Sequence, residues 1–157
     1  MVKTNAMRLL AQAKIDYELL EYEVDENNLA GIHVAKQTGL PPEQVFKTLV
    51  AKGDKCGYLV FCIPAAKELD LKKAAKAVGD KKIELVHVKE LLGLTGYIRG
   101  GCSPVGMKKK FPTYFDNTAE LFDRVSISAG VRGGQLFTER EKLICYLGAK
   151  YADLTVF

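Results

Sequence analysis

Two apolar runs, 46–52 and 58–63, are separated only by the turn Gly53-Asp54-Lys55-Cys56-Gly57. Runs of this length, rich in β-branched and aromatic residues and joined by so short a turn, predict a β-hairpin. Side chains alternate along a strand. Lys47, Leu49 and Ala51 therefore share one face of the first run, and Phe46, Thr48 and Val50 share the other. Both faces are mostly apolar, so the strand must be covered on both sides. Lys47 then stands where an ammonium is costly, because burial disfavours its charged form. Three readings are open for it: a snorkelling side chain, an edge-strand gatekeeper, or a group lining a pocket that uses its charge.

The rest of the chain alternates short helices and strands. A helix is expected from about Asn5 to Ala13, capped by Thr4, followed by a strand over Tyr17–Tyr22 and a helix over Gly31–Thr38 that Gly39 stops. Asp70 caps a helix bearing Leu71, Ala74, Ala75 and Val78 on one face, and Gly79 closes it. Shorter elements follow: strands at 83–86, 97–98, 113–115, 125–128 and 135–137, and a helix at 89–92. Thr138 and Glu141 have capping-box spacing for a last helix over 139–147. Interleaved helices with turn-paired strands predict a mixed α/β fold, a barrel-like mixed sheet surrounded by helices. No Gly-x-Gly-x-x-Gly follows a strand and no Walker loop is present, which excludes a Rossmann reading. We expect one domain over residues 1–157.

Composition excludes several function classes. No apolar run approaches the length of a membrane span, and residues 1–5 lack the apolar core of a signal peptide. A cytoplasmic protein with no membrane partner is expected. The four cysteines (Cys56, Cys62, Cys102, Cys145) form no Cys-x-x-Cys pair, and the two histidines (His33, His87) have no zinc-ligand spacing. No metal or cofactor site is expected. Cys62 and Cys145 read as small core residues, and His87, between two valines, as a packed strand histidine. A net charge of +4 falls short of a DNA-binding domain. Lysines nevertheless cluster at 72–89 and form the run Lys108-Lys109-Lys110, which reads as solvated surface or as a face for phosphates.

Chemistry could reside in two further segments. Gly96-Tyr97-Ile98-Arg99-Gly100-Gly101-Cys102-Ser103-Pro104-Val105-Gly106 is a sharply turning loop whose glycines could bring backbone N–H groups close to a ligand oxygen. Ser128-Ala129-Gly130-Val131-Arg132-Gly133 is a strand end running into a small-residue turn. Neither histidine sits beside a nucleophile elbow, so a Ser or Cys triad is unsupported.

Taken in order, Val45–Leu49, Gly96–Gly106 and Ser128–Gly133 resemble the YbaK family of Cys-tRNA(Pro)/Cys-tRNA(Cys) deacylases, which is related to the editing domain of prolyl-tRNA synthetases. Lys3–Leu10, Glu21–Asp25 and Leu69–Lys72 look like the same family. The resemblance implies the family's mixed, barrel-like fold. It also implies trans-editing: removal of a wrongly attached cysteine from tRNA(Pro), with the substrate's own thiol attacking the ester. It places the essential lysine at Lys47 and the substrate pocket at Tyr22, Thr48, Gly100, Gly101, Ser103 and Ser128, with the Lys47 ammonium and the Gly100 and Gly101 amides steadying developing charge. The implied partners are the acceptor end of tRNA(Pro) and, for specificity, prolyl-tRNA synthetase. Cys102 stands where the family usually has an aliphatic residue, and Ala129 and Val131 where it often has glycine and lysine. The alternatives are a deacylase for another small amino acid such as alanine, and a non-catalytic module that binds tRNA or a synthetase.

Overall fold

The structure, a computed structural model, describes residues 1–156. Its elements in chain order are α1 (Asn5–Gln12), β1 (Tyr17–Glu21), α2 (Gly31–Thr38), β2 (Phe46–Gly53), β3 (Gly57–Pro64), α3 (Leu71–Val78), β4 (Ile83–Leu85), α4 (Val88–Thr95), β5 (Thr113–Asp116), β6 (Arg124–Ser128), β7 (Gly134–Glu139), α5 (Arg140–Leu147) and β8 (Lys150–Ala152). Five strands form one sheet in the order β4-β2-β3-β5-β8, and three form another in the order β1-β7-β6. The predicted hairpin is the centre of the larger sheet: β2 and β3 pair antiparallel from Phe46↔Pro64 to Gly53↔Gly57. A parallel bridge, Val45↔Ser126, ties the two sheets together beside the start of β2.

The two-sided apolar pattern of β2 and β3 is explained by what covers them. Phe46, Val50, Val60 and Cys62 belong to a core with Phe115, Met7 and Leu10 of α1, Val125, Ile127 and Leu136 of the smaller sheet, and Leu143 of α5. Ala51, Leu59, Phe61 and Ile63 face the other way, against Ala74 and Ala75 of α3. Phe46, Phe61 and Phe115 are at most 1% exposed. Full burial of side chains of this kind contributes about 1.5–3 kcal/mol each. The helix ends are set locally: Asp70 accepts hydrogen bonds from the N–H groups of Lys72 and Lys73 at 3.0 and 3.1 Å, and Gly79 ends α3 in the left-handed conformation.

The mixed α/β fold is the one expected, with the described strands in two bridged sheets that do not close into a complete barrel. Other expectations are corrected. Tyr97 and Ile98 form no strand: Gly96 terminates α4 with φ 83°, and the Tyr97 hydroxyl donates to the Val105 carbonyl across the next loop. The helix at 89–92 is longer, Val88–Thr95. Thr138 is not a helix cap. It lies in β7, its hydroxyl donates to the Asp16 carbonyl at 2.7 Å, and β7 runs directly into α5 behind Glu139. His87 is not packed in a strand but exposed at the start of α4, where its N–H donates to Glu90 at 3.0 Å. Cys145 is exposed on α5, while Cys62 is buried as expected.

Candidate active site at the open edge of strand β2

A cleft of about 600 Å³ opens along β2. Its position follows from how far the neighbours of β2 extend. On the side away from β3, β4 pairs only with Ala51, Lys52 and Gly53. At the other end, the bridge to β6 reaches only Val45. Between them the edge has no strand partner. The phase of the backbone shows which groups it offers. The Val45 carbonyl accepts from Ala65 N–H, just beyond β3, at 2.8 Å, whereas the Val50 carbonyl accepts from Val86 N–H, just beyond β4, at 3.0 Å. Odd residues thus direct their peptide groups to β3 and even residues to the other side. The N–H and C=O of Thr48 therefore face the cleft, and an unpaired strand edge of this kind is a template for further hydrogen bonding.

Lys47 lines the same cleft. It is half-buried, and burial pushes its pKa below the ordinary lysine range, with the charge of Glu68 pulling weakly the other way. Its ammonium makes no hydrogen bond or ion pair among the described residues. The positive end of the α2 dipole reinforces it, because Ala30, Gly31 and Ile32 form one wall. Gly31 permits this approach: a Cβ there would lie 2.9 Å from that of Ala65.

The two glycine loops come together. A Cβ on Gly101 would lie 3.0 Å from the Arg132 nitrogen and 3.1 Å from the Val131 carbonyl carbon, so the loops touch backbone to backbone. Arg132 Nε donates to the Arg99 carbonyl at 2.8 Å. Gly100, with φ 85°, lines the cleft, and its N–H has no partner among the described residues. The Gly101 N–H is occupied by the Ile98 carbonyl at 2.9 Å, so it cannot serve a ligand oxygen without breaking that turn.

Of the residues expected in the pocket, Lys47, Thr48, Gly100 and Ser128 line the cleft. Tyr22, Gly101 and Ser103 do not. Tyr22 follows β1 with its N–H donated to the Gly133 carbonyl, and the buried Ser103 hydroxyl accepts from Val105 N–H at 3.2 Å. Ser128 accepts from Gly130 N–H at 3.2 Å.

Sequence reasoning missed Gln135, Arg99 and His87, all of which line the cleft. Gln135 pairs with Ser128 across β6 and β7, and its side-chain oxygen accepts from Ser126 at 2.8 Å, leaving its NH₂ as a donor. Only the register of that pair could have revealed it. No Asp or Glu lines the cleft, and the Cys102 thiol is pushed up to about 12 by burial. The walls thus offer cations, hydrogen-bond donors and the His87 imidazole, with no carboxylate base and no thiolate nucleophile at neutral pH.

A positively charged, donor-rich cleft at a strand edge, flanked by two apposed glycine loops, is suited to holding a carbonyl or phosphate oxygen. The sequence model of the aminoacyl-tRNA editing domain matches residues 29–145, which include all of these elements. The chain belongs to the aminoacyl-tRNA editing family. It is 46% identical over 153 residues to an Enterococcus faecalis protein with the provisional name Cys-tRNA(Pro)/Cys-tRNA(Cys) deacylase EbsC, covering 98% of this chain and 93% of that one. A proline–tRNA ligase of Thermosipho africanus is 30% identical over 76 residues, which span 48% of this chain and 13% of the ligase. A crystal structure described provisionally as a trans-editing enzyme for prolyl-tRNA synthetase superposes with TM-score 0.83 at 25% identity, covering 100% of both chains. No helix of the described residues is long and apolar enough to cross a membrane.

Proposed function

We propose that this protein is a trans-editing deacylase that removes cysteine from mischarged tRNA(Pro), acting in the cytoplasm. The observation that carries the mechanism is the partnerless Lys47 ammonium in a cleft whose lining has no carboxylate base or ionised thiol. A deacylase that lacks its own nucleophile can use one in the substrate. The thiol sulfur of the esterified cysteine attacks the ester carbonyl, the carbon–oxygen bond to the ribose breaks, the thiol proton passes to the ribose oxygen, and a cyclic thioester leaves. The protein's part is to orient the ester and stabilise the developing oxyanion. Lys47, the Gly100 N–H and the Gln135 NH₂ suit that task, and the free N–H and C=O of Thr48 suit anchoring the aminoacyl group. Ser128 completes the wall.

The 46% identity to a protein named for Cys-tRNA supports cysteine as the substrate. The ligase similarity supports tRNA(Pro) as its carrier and prolyl-tRNA synthetase as the source of tRNA discrimination. The test is hydrolysis of Cys-, Ala- and Ser-tRNA(Pro) by the purified protein. Rapid loss of cysteine alone is expected. Equal turnover of Ala-tRNA(Pro) would replace the thiol mechanism by attack of water.

A further inference from the structure

The run Lys108-Lys109-Lys110 lies outside the cleft just described, and its place in the fold gives it a use. A second cleft, of about 290 Å³, is bordered by Lys109 and Lys110, with Phe111 and Tyr146 among its walls. No acidic residue lines it. Both lysines are exposed, and neither has a carboxylate within ion-pair distance among the described residues, whereas Lys73, Lys82 and Lys142 each have one. The Phe111 ring lies 5.7 Å from that of Tyr58, over which the Lys52 ammonium sits at 5.3 Å. Tyr146 is 37% exposed. Unpaired cations beside accessible aromatic faces match a single nucleic-acid strand, whose phosphates take the lysines and whose bases stack on rings.

One loop contributes residues to both clefts. Gly100 and Cys102 line the first, and Pro104 and Gly106 the second. Cys102 and Pro104 are two residues apart, so their Cα atoms are at most about 7 Å from each other. Residues bordering the two clefts are therefore near neighbours, which puts the second cleft within reach of a strand whose 3′ end enters the first. We propose that the Lys109–Lys110 groove binds the phosphates of the tRNA acceptor strand just upstream of its aminoacylated end, with Tyr146 as a stacking surface. This rests on the deacylase reading of the first cleft.

The test uses an unacylated acceptor-stem minihelix with a single-stranded 3′ end, 5′-labelled, and follows its binding by fluorescence anisotropy from low to high salt. Lys109→Ala/Lys110→Ala is expected to weaken binding at low salt. It should also flatten the dependence of log Kd on log salt by about 1.4, since each phosphate contact on a single strand contributes about 0.7. Lys109→Arg/Lys110→Arg should restore the slope, and Tyr146→Ala should weaken binding without changing it. An unchanged slope in the alanine pair would overturn the proposal. So would intact RNA binding with lost binding to prolyl-tRNA synthetase, which would assign the lysines to a protein contact. Because the probe carries no amino acid, failure of the deacylase reading is separable: wild type would bind the minihelix yet hydrolyse no aminoacyl-tRNA.

Discussion

Replacing Lys47 by methionine separates charge from packing at the centre of the site. Leu29, Val45 and Leu49 line the cleft together with Lys47, and methionine keeps the length and apolar character of the lysine stem there. The ammonium makes no hydrogen bond or ion pair among the described residues, so the substitution breaks neither and gives up only the weak attraction of Glu68. What it removes is a charge that burial disfavours. The sign follows from linkage. The folded pKa lies below the unfolded value of about 10.4, so the folded state is penalised for carrying the proton, and that penalty is fully present below the folded pKa. It disappears as pH rises through the folded pKa towards the unfolded one. Lys47→Met is therefore expected to be as stable as wild type or more so at pH 7, with the advantage fading in alkali. The group is half exposed, so water screens much of the penalty. A rise in Tm of no more than about 4 °C is expected, since 1 kcal/mol moves a domain of this size by about 2–4 °C. Deacylation should fall by about 10²–10³-fold, the usual cost of removing one oxyanion donor. Calorimetry and single-turnover hydrolysis of Cys-tRNA(Pro) measure the two effects. A fall in Tm beyond about 4 °C would show that Lys47 is a structural partner, and retained activity would show that its charge is not used; either refutes the reasoning.

Two other outcomes are expected. Thr48→Pro removes a backbone N–H on the open edge, where proline is tolerated, so the fold should survive while single-turnover hydrolysis of Cys-tRNA(Pro) falls. Thr48→Val, which loses only a 3.8 Å contact with Cys62, should hydrolyse nearly as wild type, and equal activity in both variants would exclude the edge amide from the site. A thiol reagent should label Cys56 and Cys145 in the native protein and reach Cys62 and Cys102 only on unfolding, because the last two are buried with raised pKa values. Fast labelling of Cys102 would place its thiol in contact with water and open it to a chemical role.

The sequence determined by itself that residues 46–64 would make a buried central hairpin, that Asp70 and Gly79 would bound a helix, and that Lys47 would stand in costly surroundings. These are local properties: strand alternation, capping chemistry and the penalty on a charge among apolar neighbours act over a few residues. Capping-box spacing at Thr138 and Glu141 misled because the Thr138 hydroxyl reached a carbonyl 122 residues away. Only the tertiary structure decided that β4 stops at Ala51 and the β6 bridge at Val45, leaving Thr48 unpaired between them. It alone set the Gln135 amide opposite Ser128, committed the Gly101 N–H to Ile98, and carried one loop from the first cleft to the lysine groove. Where a strand loses its neighbour depends on the lengths and register of segments far apart in the chain, and no local pattern encodes that.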